Sequence, residues 1–327
     1  MTAVPVHKFA HEAMTTVFEV FIAGKKEGYA REAARAAFDE IDRIERLFSR
    51  FDSSSEISRV SRLRPGERMM VGVETVECLA LAARVQAETA GAFDINFRAL
   101  LPGPGRERAG SKEGQSPLGT VPGGTKGTVP GKGRGSGRPM SLLNTIGLRM
   151  VPGGFEVERH RPLSRRKPLP LDLDLGGVGK GYAVDRAVEV LADWSVGNAL
   201  VHAGTSTALG VGPGPRRVRP GWPVGAGSPW TPPAEVRLRG RALSGSGTEV
   251  KGDHIIDPRT GRPARGHLAA WASHPSAAVS DALSTAFLVM RTDEVDRYCR
   301  TRPEVRALVI NSRKKCKIFN ANTIAQL

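Results

Sequence analysis

The chain of 327 residues contains few cysteines and no long hydrophobic run. Its cysteines, Cys78, Cys299 and Cys316, are far apart and odd in number, which excludes a disulfide framework and a cysteine-based metal knuckle. Since no run of about 18 apolar residues occurs, we expect no membrane-spanning helix. The N-terminal segment also lacks a basic stretch followed by an apolar one, so we expect no signal peptide and a reducing, cytoplasmic setting.

The charge is strongly unbalanced towards the basic side. Lys and Arg number 48 against 33 Asp and Glu, a formal net charge of +15. Such a surplus suits anionic partners, but a general enrichment in arginine gives the same balance. The sequence shows no basic stripe interleaved with aromatic residues and no zinc-finger spacing, so we expect no specific nucleic-acid partner.

Hydrophobic residues make up 40% of the chain, as in a globular protein. Strand and helix patterns mix without a regular βα repeat, which favours an α+β fold of mixed sheets with packed helices. We predict one domain over 1–310 and leave the tail 311–327 unassigned. The predicted strands are 17–23, 168–175, 199–202, 235–239, 254–256, 268–272 and 307–310, and the predicted helices are 29–51, 74–90, 180–194 and 278–290.

Two stretches have the composition of linkers. Of the 38 residues in 102–139, 18 are Gly or Pro, and "GTVPG" occurs twice. Such a stretch cannot bury enough apolar surface to offset the entropy of ordering it, which predicts a flexible insertion. Residues 212–233, rich in Pro, Gly and Trp, are predicted to be a second linker.

The segment "AVSDALSTAFLVM", 278–290, has the composition of a buried helix interrupted by oxygen-bearing side chains. Asp281, Ser284 and Thr285 are spaced i, i+3 and i+4, so a helix places them on one face. Burying an ionised carboxylate without a partner is costly. The pattern therefore predicts that a cation or a set of hydrogen-bond donors meets these oxygens.

The segment "LDLDLGGVGKGYAVDRA", 171–187, predicts a strand, a glycine-rich turn and a helix. Its glycines allow a ligand to approach the backbone closely, and the helix N-terminus offers free N–H groups to an anion. Lys180 adds a positive charge, and Asp174 either binds a ligand hydroxyl or caps the helix. The spacing fits neither the P-loop nor the dinucleotide-binding fingerprint. A phosphate cradle and a tight strand–helix turn both remain open.

The segment "DHIIDPRTGRP", 253–263, contains His254, which is either an acid–base group or a structural hydrogen-bonding side chain. Together, the oxygen cluster, the glycine-rich turn and this imidazole indicate a phosphate-bearing ligand bridged by a hard cation, since Mg²⁺ takes oxygen ligands and substrate phosphates.

Six segments, in this order, resemble the FAD:protein FMN transferase (ApbE) family. The resemblance covers roughly 9–100 and 168–310, and its order and spacing are more specific than any one block. The segments are "HEAMTTVFEV", "RLFSRFDSSSEISRV", "AGAFDIN", "DLGGVGKGYAVDRA", "HIIDPRTGRP" and "SDALSTAFLVM".

The resemblance implies an enzyme that uses Mg²⁺ to transfer FMN from FAD to a Thr or Ser hydroxyl of a target protein, with release of AMP. The implied target is a redox subunit carrying a motif of the type D-x-x-[ST]-x-[AS]-T. The implied metal face comprises Asp281, Ser284, Thr285 and a backbone carbonyl, for which Gly177 is favoured over Gly179. His254 is implied to activate or orient the acceptor hydroxyl. The implied FAD contacts are Met14, Phe51, Ala92, Phe93, Asp94, Asp174, Lys180 and one of Ile255 and Ile256.

The chain departs from the family pattern at several points. Gly204, Thr205 and Ser206 stand where the family usually has Gly-Gly-Asp, so a carboxylate near the flavin is missing. The insertion 102–139 replaces a segment that commonly helps to close the flavin pocket, and many relatives carry an export signal. A hydrolase that splits FAD into FMN and AMP, and a catalytically degenerate FAD-binding protein, therefore stay open as alternatives.

Overall fold

The computed structural model describes residues 4–100, 142, 145–161, 170–216, 219–228, 231–247 and 255–320. The insertion predicted at 102–139 lies outside these residues, as does His254. Within the described part of the chain, no helix is long and apolar enough to cross a membrane.

An eight-stranded sheet in which every neighbouring pair is antiparallel forms the centre of the fold, in the order β1-β2-β6-β7-β10-β13-β14-β15. Its strands are β1 Val6–Ala13, β2 Thr16–Ala23, β6 Ala199–Ala203, β7 Thr207–Val211, β10 Arg241–Gly247, β13 Ala269–His274, β14 Arg306–Ile310 and β15 Cys316–Phe319.

Three smaller sheets accompany it. They consist of β3 Arg68–Val71 with β5 Gly154–Arg159 and β4 Ile146–Val151; of β8 Trp222–Ser228 with β9 Thr231–Leu238; and of β11 Ile256–Asp257 with β12 Arg262–Pro263.

The helices are α1 Glu27–Phe48, α2 Glu56–Ser61, α3 Val73–Glu88, α4 Gly179–Asp193, α5 Ala277–Val289 and α6 Thr292–Arg300. Helix α5 packs on β10 and β13, α4 packs on α5, and α1 packs on α4. The α+β prediction and the four predicted helices are confirmed, with ends that shift by one to three residues, as is usual for helix boundaries.

Helix α1 shows how the sequence forms this layer. Its buried residues include Ala33, Ala37, Ile41 and Ile44, spaced by three or four positions, which makes one continuous apolar face. The small alanines allow the close approach to α4, while acidic and basic residues occupy the exposed face. Burial of this face, rather than a side-chain cap, stabilises α1, since the described residues form no side-chain hydrogen bond at its N-cap.

The strand predicted at 168–175 is not confirmed. The predicted strand is absent from its described part, 170–175. Leu171, Leu173 and Leu175 are buried as their alternation suggests, but none of the described strands pairs with this segment. The backbone N–H of Asp174 instead donates to the carbonyl of Ile95 at 2.7 Å. The alternation of apolar and polar residues indicates which side chains face the core, but it does not show whether a neighbouring strand is available for pairing.

The predicted linker 212–233 is also wrong, because it contains β8 and the start of β9. Trp222 anchors this hairpin: its ring is buried, and its indole N–H donates to the carbonyl of Val211 at 2.9 Å. Sequence reasoning also missed β1, β7 and β10, whose small or mixed residues lack a clear strand pattern. Within the tail left unassigned, β15 joins the edge of the large sheet.

Helices α4 and α5 approach so closely that only glycine fits at position 181. A Cβ atom there would lie 2.8 Å from the Cα of Ala278 and would overlap the carbonyl of Ala277, and neither backbone atom belongs to a movable side chain. This contact fixes the distance between the two helices that carry the glycine-rich turn and the oxygen cluster.

We expect Gly181→Ala to lower the free energy of unfolding by about 1–3 kcal/mol, as overpacking of a core does. Urea unfolding followed by circular dichroism measures this change. Gly28→Ala in α1 is the matched control, because a Cβ there meets nothing within 4 Å, and it should leave stability unchanged or raise it by up to about 1 kcal/mol. Equal stability of the two variants would contradict the packing argument.

Candidate functional site

The three oxygen-bearing residues of α5 do share one region of the fold. Asp281 and Ser284 are buried, and Thr285 is the single residue of α5 that is not. The Ser246 hydroxyl from β10 lies between them, 2.9 Å from Ser284 Oγ and 3.3 Å from Thr285 Oγ1. Ser246 was not identified from the sequence, because the small residues of β10 carry no recognisable functional motif.

Helices α4 and α5 cap each other's first turns through two carboxylates. Asp281 Oδ2 of α5 accepts a hydrogen bond from the backbone N–H of Gly181 in α4 at 3.1 Å. In return, Asp185 of α4 accepts from the N–H groups of Ala277 and Ala278 at 2.7 and 2.9 Å. Each acid therefore satisfies donors that a helix N-terminus leaves unpaired. Asp185 was not recognised from the sequence, although its position in α4 could have suggested a buried acid.

The Asp281 carboxylate carries a charge that its neighbours offset only in part. Burial raises its pKa, whereas the charge of Lys180, the Gly181 N–H and the Thr207 side chain lower it. Among the described residues, no Lys, Arg or His nitrogen lies within ion-pair distance of this carboxylate. The thiol of Cys78 in α3 has a pKa raised by its burial and by the Asp281 charge. A buried acid in this setting favours an additional cation.

The glycine-rich turn meets the oxygen cluster at Gly177. A Cβ atom on Gly177 would lie 3.1 Å from Thr285 Oγ1 and 3.3 Å from Phe93 Cε2. A Cβ on Gly179 would instead face Leu175 and Phe48. Of the two glycines considered as a carbonyl ligand, Gly177 is therefore the one beside Thr285.

Lys180 and Asp174 lie on either side of the same turn. Lys180 Nζ donates to the carbonyl of Gly176 at 3.0 Å, and Asp174 Oδ1 accepts from the Gly176 N–H at 2.9 Å. Asp174 also pairs with Arg50 at 3.4 Å and with Arg98 at 4.0 Å. Neither arginine was recognised from the sequence, and both add positive charge next to a turn suited to phosphate.

Residues 92–94 follow the end of α3. Ala92 and Phe93 are buried, and Phe93 contributes its ring edge to the space around Gly177. Asp94 Oδ1 accepts from the Asn96 N–H at 2.7 Å. Burial of this acid raises its pKa from the ordinary 3.8 to about 6, although the bonds from Asn96 and Gln86 act in the opposite direction.

The other predicted FAD contacts differ in exposure. Phe51 is 75% exposed, with the Arg50 guanidinium 4.1 Å from its ring centre, so it is not a core residue. Met14 is half-buried in the β1–β2 turn and has a φ of 50°. Ile255 packs against the core, and Ile256 begins the short strand β11.

A second hydroxyl set extends the oxygen cluster along the sheet. Thr207 of β7 and Ser244 of β10 are opposite each other in register, and both are buried. Within the part of the chain that the structure describes, Ser244 Oγ has no hydrogen-bond partner. Thr207 directly follows the Gly204–Ser206 segment that lacks the usual aspartate. No group of three or more His, Cys, Asp or Glu side chains suited to a metal occurs among the described residues.

The sequence model of the ApbE family matches residues 14–309. The chain belongs to the ApbE family. This match includes both parts of the site, namely the glycine-rich turn and the oxygen cluster of α5. The predicted family membership is therefore confirmed.

Named relatives agree with this assignment. The chain is 24% identical to an FAD:protein FMN transferase of Klebsiella pneumoniae over 308 residues, which cover 88% of this chain and 80% of that protein. It is 34% identical to an FAD:protein FMN transferase of Rhodobacter capsulatus over 138 residues, 39% of this chain and 26% of that protein. The expectation of an enzyme is confirmed at the level of the family.

Solved structures share the fold. The flavinyl transferase ApbE of Pseudomonas stutzeri, in its apo form, matches with a TM-score of 0.75 at 20% identity, covering 99% of this chain and 98% of that one. A mutant of the flavin transferase ApbE of Vibrio cholerae matches with a TM-score of 0.73 at 18% identity, covering 99% and 100%. The predicted ApbE-like α+β fold is therefore confirmed.

The raised pKa of Asp94 predicts a pH-dependent stability difference. Because the folded state holds this proton more tightly than the unfolded state, stability falls as pH rises from about 4 to about 6 and is level above. We expect Asp94→Asn to remove this component. As pH rises over this interval, the unfolding free energy of the wild type should therefore fall relative to that of Asp94→Asn. Urea titrations at pH 4.5, 5.5, 6.5 and 7.5 (roughly spanning the interval) measure the gap, and a constant gap would contradict the prediction.

Proposed function

We propose that this protein transfers FMN from FAD to a Thr or Ser hydroxyl of a target protein and releases AMP. The observation that carries the proposal is the buried Asp281 carboxylate, which has only partial charge compensation and lies with Thr285 beside the glycine-rich turn. This arrangement suits a cation that neutralises the acid and also binds a pyrophosphate.

The donor set fits Mg²⁺ better than a transition metal. Asp281, Thr285 and Ser284 offer oxygen atoms, and the carbonyl of Gly177 is proposed as a fourth ligand, whereas no His or Cys cluster is present among the described residues. A site with one carboxylate leaves room for substrate phosphates, which Mg²⁺ commonly retains as ligands. Bound there, the ion would supply charge to stabilise the pyrophosphate as its bond breaks.

The chain's own groups would orient FAD around that centre. Lys180 and the N-terminus of α4 attract the phosphates. Asp174, held by Arg50, suits a ribose or base group, and the exposed ring of Phe51 offers a surface on which an aromatic ligand can stack. Ala92, Phe93 and Asp94 are proposed as further FAD contacts, and Met14, Ile255 and Ile256 are proposed as outer contacts of the flavin part.

The reaction needs one proton transfer and one bond exchange. The acceptor hydroxyl oxygen attacks the phosphorus of the FMN half, the bond to the bridging oxygen breaks, and AMP leaves with that oxygen. His254, next to Ile255 in the chain, is proposed to take or orient the hydroxyl proton. The proposed acceptor is a redox subunit with a D-x-x-[ST]-x-[AS]-T motif.

We expect Asp281→Asn to abolish transfer while the protein stays folded. Asparagine keeps an acceptor for the Gly181 N–H and removes a buried charge, so stability should be equal or higher. Mg²⁺-dependent AMP release should fall by more than about 100-fold, since even residues that only orient metal ligands cost 10–100-fold. Asp293→Asn, at an exposed carboxylate of α6, is the control.

The assay incubates the purified protein with FAD, Mg²⁺ or EDTA, and an acceptor domain, and follows AMP release and the acceptor's mass. An acceptor gain equal to FMN, lost with EDTA and in Asp281→Asn, supports the transferase. AMP and free FMN without acceptor modification would point to a hydrolase. FAD binding without AMP would point to a degenerate binding protein.

Thr285→Val tests the hydroxyl separately. The change keeps the side-chain shape but removes one oxygen ligand, so the Mg²⁺ concentration for half-maximal AMP release should rise by about 10-fold or more. Thr301→Val, at the exposed C-terminal end of α6, is the matched control. An unchanged Mg²⁺ dependence in Thr285→Val would remove Thr285 from the proposed metal face.

A further inference from the structure

The large sheet has a second face, away from the helices, that is only partly covered. Along β10, Ala242, Ser244 and Ser246 point to the helix side, where Ser246 meets α5. Because side chains alternate along a strand, Arg241 and Leu243 point to the other side. The β8–β9 hairpin covers one part of that side, with Trp222 and Leu238 buried in its own small core.

Beside the hairpin lies a cavity of about 250 Å³. It opens over β10, β13, β14 and β15, and Val236 of β9 forms part of its wall. This volume is slightly below the usual range for small-ligand sites, which suits a small ligand. Strand β15 lies beyond residues 14–309 that match the family, so part of this cavity is built by a segment outside the family match.

One end of the cavity is positively charged. Ser273 of β13 is in register with Arg306 of β14, and the Arg241 guanidinium reaches the same place from β10. Arg241 donates to Ser273 Oγ at 3.3 Å, to the Ser273 carbonyl at 3.0 Å and to the Glu304 carbonyl at 2.5 Å. Among the described residues, no carboxylate oxygen lies within 4 Å of a guanidinium nitrogen of Arg241 or Arg306.

The surroundings of Arg241 and Arg306 disfavour their positive charges. Burial and the neighbouring charge of Arg306 lower the pKa of Arg241 to about 10, and the Glu304 carboxylate offsets this only in part. Burial also lowers the pKa of Arg306. Two half-buried cations that repel each other favour the binding of an anion beside them.

The other end of the cavity is apolar. Trp271 of β13 is in register with Leu308 of β14, and Leu308 with Ile318 of β15. Gly245, opposite Trp271 in β10, leaves room for the indole, because a Cβ there would lie 2.8 Å from Trp271 Nε1. Arg237 and Arg239 also line the cavity, but Arg237 is paired with Glu235 at 2.6 Å and Arg239 is exposed. The half-buried arginines at one end and this apolar stretch therefore match a ligand that has an anionic head and an apolar chain.

We propose that this cavity binds a medium-chain aliphatic carboxylate, with the carboxylate between Arg241 and Arg306 and the chain along Trp271, Leu308 and Ile318. Arginine forks pair well with planar carboxylates. The site is on the opposite face of the sheet from the proposed flavin site, so its occupation is independent of the proposed function.

Isothermal titration of the full chain with octanoate tests the proposal, with 1-octanol and inorganic phosphate as comparison ligands. We expect octanoate to saturate one site per chain and to bind more tightly than either comparison ligand. Arg306→Gln should weaken octanoate binding by at least about 10-fold, the loss of one charge-assisted pair. Arg313→Gln, at the exposed β14–β15 turn, is the control and should bind as the wild type does.

A second readout uses the indole in the cavity. Octanoate should change the tryptophan fluorescence of the wild type and not that of Trp271→Phe. Arg306→Gln is preferred to Arg241→Gln as the test, because the Arg241 side chain donates hydrogen bonds to Ser273 and Glu304, whereas no side-chain hydrogen bond of Arg306 is found among the described residues. Equal affinity for octanol or for phosphate, or unchanged octanoate affinity in Arg306→Gln, would overturn the proposal, as would the absence of saturable binding.

Discussion

The site depends on the reciprocal capping of α4 and α5. Asp185 of α4 accepts hydrogen bonds from the first N–H groups of α5, and Asp281 of α5 accepts one from Gly181 near the start of α4. Each carboxylate is buried at a cost that its hydrogen bonds offset only in part, since the pKa of each is raised. The two helices must therefore keep one relative position, and that position brings the glycine-rich turn to the oxygen cluster.

The same arrangement explains why small residues collect here. Gly181 allows α4 to touch the backbone of α5, and Gly177 leaves space for Thr285 and the Phe93 ring. On the sheet side, Ser246 completes the cluster from β10. The site therefore combines segments from three distant parts of the chain, each of which approaches closely because it lacks a bulky side chain. The side chains proposed to bind the cation all lie on helix α5, and the proposed carbonyl of Gly177 comes from the adjoining turn, so most of the ligand set has a fixed geometry.

The large sheet separates two chemical environments by alternation along single strands. On β10, Ser246 faces the oxygen cluster and Leu243 faces the cavity, although only three positions separate them. The helix side is densely packed and holds a partly compensated negative charge at Asp281. The opposite side holds two half-buried positive charges, Arg241 and Arg306. One face of the sheet thus favours a cation and the other face favours an anion. The net charge of the chain indicates neither preference.

The sequence by itself determined the four principal helices and the α+β class, because apolar spacing reports which face each helix buries. It also determined that Asp281, Ser284 and Thr285 share one face, since that follows from helical geometry alone. The family resemblance added the order of the motifs. Tertiary structure alone decided that 170–175 does not pair as a strand and that 222–228 does. It also decided that Asp185, Ser246 and Arg50 join the site. These outcomes depend on contacts between segments far apart in the chain, and local periodicity carries no information about such contacts.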